Sequence, residues 1–472
     1  MFKRILIANR GECAIRIIRA CNEMGIESVA IYSEPDSHAL HVKKADQAIL
    51  IGPDPVKSYL NIHRIVDIAL KTECDAVHPG YGFLSENSEF AQAVLDAGIT
   101  YIGPSPDAIE NMGSKTHART AMLAADIPCI PGTEASLTSV EEALETAQGM
   151  GYPVMLKASA GGGGRGIRRC DTDAEVVENY DLTTREAMAA FGNGELFMEK
   201  CIVEPRHIEF QILADAHGHC VHLYERDCSI QRRNQKLIEI APSNFLDEEL
   251  RQRMGATAVQ AALAVGYVNA GTVEFLVDKD RNYYFMEMNT RLQVEHTITE
   301  AVTGVDIVVE QIGIAAGNPL PFKQEDISLH GHSVEFRINA EDPKNGFFPN
   351  PGRITRYFSA GGPGVRVDGC VYPGYEIPSY YDSMCAKLTI WAPTWKHTVM
   401  RCQRALKEYD IRGVKTTLPF YRHIAASEVF AGGQFDTGFL ESYPELLEYK
   451  AFEARGDIAM AVAIAIAVHA GL

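Results

Sequence analysis

The sequence predicts an α/β protein that opens with a doubly wound αβ domain, continues through a mixed central region and closes with an α+β region. Three stretches carry that prediction. Residues 4–33 read as strand (Arg4 to Ala8), helix (Cys13 to Met24) and strand (Ser28 to Tyr32), one βαβ unit of a parallel sheet. Residues 270–290 alternate apolar and polar about a polar turn, as an antiparallel hairpin does. A further αβ region starts at the strand His332 to Asn339 and runs to residue 447. The length, 472 residues, agrees with three compact units at about 150 residues each.

The composition is that of a folded, soluble chain, 46% hydrophobic and 22% charged. Its net charge of -18 repels phosphate backbones and anionic lipid surfaces, which argues against nucleic acid and membrane as partners. Any anionic ligand must therefore be held by a local cluster of Lys and Arg. The 11 cysteines include no CxxC pair, as expected of reduced thiols in a cytoplasmic protein. The N-terminus reads directly into a strand and turn, so no export signal is expected.

Along the chain, the first turn, Asn9-Arg10-Gly11-Glu12, lacks the GxGxxG pattern of dinucleotide-binding domains. A second αβ unit ends at Ala76-Val77-His78-Pro79-Gly80-Tyr81-Gly82-Phe83, with Ser85 and Glu86 as the predicted start of the next helix. Met112-Gly113-Ser114-Lys115 leads into a helix. Pro128 and Pro131 then punctuate the chain, and helix and strand alternate to about residue 203.

Four stretches carry chemistry. In Lys157-Ala158-Ser159-Ala160-Gly161-Gly162-Gly163-Gly164-Arg165-Gly166, consecutive glycines let backbone N–H groups converge on phosphate oxygens, and Lys157 and Arg165 add charge. The same run could be a flexible linker; it is not a P-loop. In the hairpin, closure about residues 280–281 sets Glu274 opposite Glu287. Facing carboxylates repel unless a divalent cation joins them, with Asn289 as a third oxygen, or unless they form a solvated acidic face. Strand parity carried on through Arg291, Gln293 and Glu295 would line one groove with a guanidinium and a carboxylate base, while Met286, Met288, Leu292 and Val294 face the other way. The fourth stretch, Glu225 to Lys236, concentrates four cations and fits either a surface run or an anion pocket.

Taken together, the ordered segments IANRGE, HPGYGFLSEN, MGSK, KASAGGGGRG, ERDCSIQRRNQK, EMNTRLQVEH, FRINAEDP and YYDSMCAKL resemble the biotin carboxylase component of biotin-dependent carboxylases. The resemblance implies an ATP-grasp fold with an N-terminal domain over 1–113, an ATP-grasp domain over 114–330 with a mobile lid at about 131–203, a C-terminal domain over 331–447 and an apolar tail helix over 448–472. It implies that Lys115, Lys157 and the loop Gly161, Gly162, Gly163, Gly164 and Gly166 hold the ATP phosphates. Glu199, Lys200, Ile202, His207, Gln231, Asn234 and Leu276 would line the nucleotide pocket. Glu274, Glu287 and Asn289 would hold Mg²⁺ or Mn²⁺. Bicarbonate would rest on Lys236, Arg291, Gln293 and Val294, with Glu295 as base, and biotin beside Arg337 and Tyr81. Asn234 departs from the His common at that position but keeps a hydrogen-bonding group.

No Met-Lys-Met biotin-attachment motif is present, so biotin would arrive on a biotin carrier protein or a biotinylated carboxyltransferase subunit. The resemblance also implies a homodimer. Acetyl-CoA, propionyl-CoA, pyruvate and 2-oxoglutarate all fit as the final carboxyl acceptor. The tail resembles that of the separate-subunit pyruvate and 2-oxoglutarate carboxylases. Its 11 apolar residues, Ile458 to Val468, are too few to span a membrane, so the helix must pack on its own domain or on a partner. The rival readings are another ATP-grasp ligase, of the carbamoyl-phosphate or purine-pathway kind, and a catalytically silent nucleotide-binding subunit.

Overall fold

A computed structural model describes residues 1–133, 135–159, 166–449 and 455–470. The apolar strand Arg4–Ile7 lies in the middle of a five-stranded parallel sheet, ordered Gln47–Gly52, Glu27–Ser33, Arg4–Ile7, Ala76–His78, Thr100–Tyr101. The helix Gly11–Glu23 buries Ile15, Ile17 and Ile18. Strand order reverses between Arg4–Ile7 and Ala76–His78, which opens a crevice at their carboxyl ends. The loops that follow these strands meet there: the Asn9 amide donates to the carbonyls of Pro79 (2.7 Å) and Tyr81 (2.8 Å).

Gly80 sits in that crevice at φ +65°, and a Cβ placed on it would come within 2.4 Å of the Cys13 sulfur and 2.8 Å of the Asn9 amide nitrogen. Only glycine fits. The helix expected from Ser85 and Glu86 begins at Ser88 instead. Residues 83–86 close a turn, and the Asn87 side chain accepts from the Phe90 N–H at 2.7 Å, a better cap than either predicted residue. Around residue 114 the chain forms two helices, Pro106–Gly113 and Lys115–Ala124, with Ser114 capping the second.

A small antiparallel sheet follows, ordered Ile167–Cys170, Val154–Ala158, Leu196–Lys200. Val154, Leu156 and Ala158 are buried, as are Leu196 and Met198. Period-two alternation therefore turns Lys157 and Glu199 to the opposite, open face. Gly166 stands at φ +71° where the second strand begins, while Gly161, Gly162, Gly163 and Gly164 lie outside the described residues.

The largest sheet has eight antiparallel strands. Their order is Tyr283–Asn289, Asn269–Val277, Arg206–Ala214, Cys220–Arg232, Gln235–Ala241, His332–Asn339, Met384–Ala392, Val365–Gly369. Ile238 pairs with Phe336, so residues on both sides of position 330 share one sheet. The tail forms the helix Arg455–His469, and its described large side chains, Met460, Val462, Ile464, Ile466 and Val468, are 52–72% exposed rather than packed on their own domain.

Two measurements test this architecture. Gly80→Ala is expected to lower stability by about 1–3 kcal/mol, seen as a lower thermal-unfolding midpoint, because it combines a left-handed backbone with two close contacts. An unchanged midpoint would show that the crevice can widen. The second concerns His41, fully buried with Nε2 3.3 Å from the Ile31 carbonyl, whose pKa burial pushes down to about 4. Above pH 6.5 this burial carries no penalty. As the pH falls from 6.5 to about 4, the unfolded chain takes up a proton that the folded chain refuses, removing up to about 3 kcal/mol. His41→Gln should therefore lose less stability than the parent between pH 7.5 and 5, and parallel losses would exclude this origin.

Candidate active site

The hairpin places Glu274 directly opposite Glu287, in the register expected from its sequence. That register holds only away from the turn. A bulge beyond Glu274 shifts the turn-side half by one, so that Phe275 pairs with Phe285. Glu274 is buried and takes four hydrogen bonds, from Lys236 (2.9 Å), His207 (2.8 Å) and the amide nitrogens of Asn289 (2.8 Å) and Gln293 (3.4 Å). Burial alone would raise its pKa; Lys236 and His207 overcome that and hold it far below the usual carboxylate range. Glu287 is pushed the other way, first by burial and then by the Glu274 charge.

Among the described residues no cation stands within ion-pair distance of Glu287. Two facing carboxylates, one of them unpaired, are a donor set that fits a divalent cation. Asn289 contributes differently from expectation: its oxygen accepts from Arg291 at 3.0 Å, and its nitrogen faces Glu274.

The strand does not continue through Glu295. It ends at Asn289, residues 290–295 form a loop, and a helix begins at His296. Leu292 is nevertheless buried, and the polar residues still gather in the cleft. Arg291 donates to Gln293 at 2.9 Å and pairs with Glu86 at 2.9 Å. Glu295, with 0% exposure, accepts from Lys236 at 2.7 Å and Arg337 at 3.1 Å. Burial raises its pKa, but the two cations prevail and hold it well below the ordinary value.

Lys236 reaches across the sheet to Glu209 (2.5 Å) as well as to Glu274 and Glu295. The four cations of the basic stretch thus divide. Lys236 is in the site. Arg226 is fully buried and binds Glu209, Gln211, Thr272 and Thr299. Arg232 lies over the Phe347 ring at 4.7 Å, and Arg233 is exposed.

At the other end of the cleft Lys157 pairs with Glu199. Lys200 donates to the carbonyls of Gly151 (2.7 Å) and Tyr152 (3.0 Å), so its ammonium anchors the small sheet. Lys115, Glu199, Ile202, His207, Gln231, Asn234 and Leu276 all line the same cleft, as do Tyr81, Gln293, Val294 and Arg337. Its volume, 1660 Å³, exceeds the 300–1,000 Å³ or so of a single-ligand pocket and leaves room for two substrates.

Several members of the site went unread in the sequence. Lys387, 0% exposed, donates to the Val294 carbonyl at 2.8 Å and stands 3.3 Å from Glu12, whose carboxylate also takes the Tyr81 hydroxyl. Glu239 accepts from Arg337 at 2.6 Å and is pushed up to about 7 by burial. The available signal was a charged residue in the middle of an apolar strand, as in Ala386-Lys387-Leu388 and Ile238-Glu239-Ile240.

Comparison with known proteins accords with this geometry. Residues 1–109 match the family described as biotin carboxylase, N-terminal domain; residues 114–323 match the carbamoyl-phosphate synthase L chain, ATP binding domain; and residues 335–442 match the biotin carboxylase C-terminal domain. The 2-oxoglutarate carboxylase small subunit of Hydrogenobacter thermophilus is 52% identical over 472 residues, 100% of both chains. Biotin carboxylase 1 of Bacillus subtilis is 53% identical over 445 residues, 94% of this chain and 99% of that one. One of the pyruvate carboxylase subunits of Methanothermobacter thermautotrophicus is 52% identical over 444 residues, 94% of this chain and 90% of that one.

Among solved structures, the biotin carboxylase domain dimer of Hydrogenobacter thermophilus 2-oxoglutarate carboxylase, in complex with MgADP, ADP and bicarbonate, superposes with a TM-score of 0.91 at 54% identity, covering 96% of this chain and 100% of that one. The middle domain alone would leave other ATP-dependent ligases open, but the flanking matches bring in the regions that hold Tyr81 and Arg337, and with them the chain belongs to the biotin carboxylase family.

Proposed function

We propose that the cleft is where this biotin carboxylase, an ATP-dependent ligase, couples ATP cleavage to carboxylation of biotin. The observation that carries the residue assignment is Glu295, completely buried yet held ionised between Lys236 and Arg337. A carboxylate kept charged beside two cations is suited to accept a proton from an anion that those cations also bind.

In this reading ATP lies beneath the small sheet, which serves as the lid, with its phosphates on Lys115, Lys157 and the Gly161–Gly166 loop. Glu199, Ile202, His207, Gln231, Asn234 and Leu276 surround the nucleotide, and Lys200 supports the wall through its bonds to Gly151 and Tyr152. Bicarbonate rests on Lys236, Arg291, Gln293 and the Val294 N–H. Glu274 and Glu287, with Asn289 beside them, would hold Mg²⁺ or Mn²⁺, which supplies the positive charge that lets two anions approach each other.

Glu295 removes the bicarbonate proton, and the freed oxygen attacks the γ-phosphorus in line with the departing ADP oxygen. The resulting carboxyphosphate breaks its C–O bond to CO₂ and phosphate. Phosphate takes the ureido N–H proton of biotin while Arg337 stabilises the negative charge on the ureido oxygen and Tyr81 borders the ring. The nitrogen then attacks CO₂. Carboxyphosphate hydrolyses in water, hence the need for a lid.

Biotin reaches the cleft on a separate biotin carrier protein or biotinylated carboxyltransferase subunit. We place this chain in the cytoplasm as a homodimer. Its 11 cysteines are free, which fits a reducing compartment, and the Hydrogenobacter relative forms a dimer. Among the described residues no helix is long and apolar enough to cross a membrane. Pyruvate, 2-oxoglutarate and an acyl-CoA all remain open as the final acceptor, since relatives from 2-oxoglutarate carboxylase, pyruvate carboxylase and a separate biotin carboxylase lie at 52–53% identity.

Glu295→Gln is expected to reduce ADP release driven by free biotin and bicarbonate by about 10²–10⁴-fold. Turnover near that of the parent would remove Glu295 as the base, and ADP release that required an amine while ignoring biotin would overturn the whole reading. Lys236→Gln leaves Glu209, Glu274 and Glu295 without their common cation. It should abolish turnover and lower stability by about 3–5 kcal/mol at pH 8. Because the stranded carboxylates would then carry raised pKa values, stability should partly return as the pH falls toward 5. A melting midpoint that dropped equally at both pH values would argue against this charge balance.

A further inference from the structure

Among the described residues, the tail helix presents a run of exposed large apolar side chains that the catalytic reading leaves unused. On the helix Arg455–His469 successive residues turn by roughly 100°. Val462 and Ile466 therefore form one ridge, and Met460, Ile464 and Val468 form a second on the opposite side. Ala463 and Ala467 fill one groove between the ridges, and Ala465 lies in the other. All five large side chains are more than half exposed, and no Asp, Glu, Lys or Arg lies between Asp457 and the helix end.

A helix that rests on a surface needs one apolar stripe. Two opposite ridges require cover on two opposite sides, and alanine grooves let that cover approach closely. A second copy of the same helix would cover one ridge and leave the other in water. The Hydrogenobacter relative that matches all 472 residues, tail included, is named a small subunit, whereas Bacillus subtilis biotin carboxylase 1 matches over 445 residues that make up 99% of its length.

We propose that helix 455–469 is the anchor by which this chain holds its biotin-bearing partner subunit, inserted into an apolar socket that encloses it on both ridges. The proposal rests on the function argued above, which requires such a subunit.

The test uses the full chain and its variant Ile464→Asp/Ile466→Asp, one change on each ridge. Each is co-expressed with the biotinylated subunit of the same carboxylase and isolated through a tag on this chain. The parent should retain the biotinylated subunit in stoichiometric amount, detected with labelled streptavidin, and the variant at least tenfold less. Free-biotin carboxylation should be the same in both. Equal retention would overturn the proposal. So would a variant whose mass by light scattering, without the partner, is half that of the parent, because the occupant would then be a second copy. If neither protein carboxylates free biotin, the functional reading fails while retention still reports on the anchor. Single changes, Ile464→Asp and Ile466→Asp, extend the test: enclosure requires both to weaken retention, and loss confined to one of them would mean a surface contact instead.

Discussion

One ammonium group sets the terms for the rest of the site. Lys236 holds Glu209, Glu274 and Glu295, which come from two different strands and a loop, and all three are buried. Three carboxylates so placed cannot remain ionised together without cations among them. Arg226 takes the far oxygen of Glu209, His207 that of Glu274, and Arg337 that of Glu295. Each of these partners lies on a strand of the eight-stranded sheet, so the register of that sheet and the charge balance of the cleft are the same constraint. The pairing of Gln235–Ala241 with His332–Asn339 brings Arg337 within 2.6 Å of Glu239 and 3.1 Å of Glu295.

This arrangement bears on how anions bind. Lys236, Arg291 and Arg337 are already paired with carboxylates, so in the proposed reading bicarbonate would bind by sharing them. An anion that draws Lys236 partly away from Glu295 weakens the interaction that depresses its pKa. In the proposed reaction the carboxylate would thereby become a stronger base as the proton arrives. The contacts that hold Glu295 ionised are the ones that a bound anion would loosen.

Much of this was legible in the sequence, for physical reasons that differ by element. Period-two alternation is strict enough to set Glu274 against Glu287 and to turn Lys157 and Glu199 to one face. It failed beyond Asn289, where Arg291, Gln293 and Glu295 keep their spacing in a loop, since a sequence that alternates polar and apolar residues reads as a strand whether or not it pairs. The start of the helix at Ser88 was misread because Asn87, Ser85 and Glu86 all suit a helix start and only the turn at 83–86 selects among them. Glu209, Glu239 and Lys387 were missed because their partners are distant in sequence, and a lone charge in an apolar strand names no partner. The motif resemblance supplied the roles of Arg337 and Tyr81, which spacing alone could not.

Lys387 shows how the two ends of the chain complete what the middle begins. It lies on the strand Met384–Ala392, yet it binds the Val294 carbonyl in the loop before Glu295 and stands against Glu12 and Tyr81 at the crevice of the N-terminal sheet. The loop that presents Glu295 is thereby pinned from outside the ATP-binding domain. The central region matches a domain type shared with carbamoyl-phosphate synthase, and in the proposed reading its residues would carry the phosphorylation of bicarbonate. In that reading, what receives the activated carboxyl group is decided elsewhere. Arg337 and Tyr81 lie in the matched C-terminal and N-terminal regions, one on each side of the shared domain. In that reading acceptor choice would be a property of the flanking regions, and Lys387, bonded to the Val294 carbonyl and 3.3 Å from Glu12, ties both of them to the loop that carries Glu295.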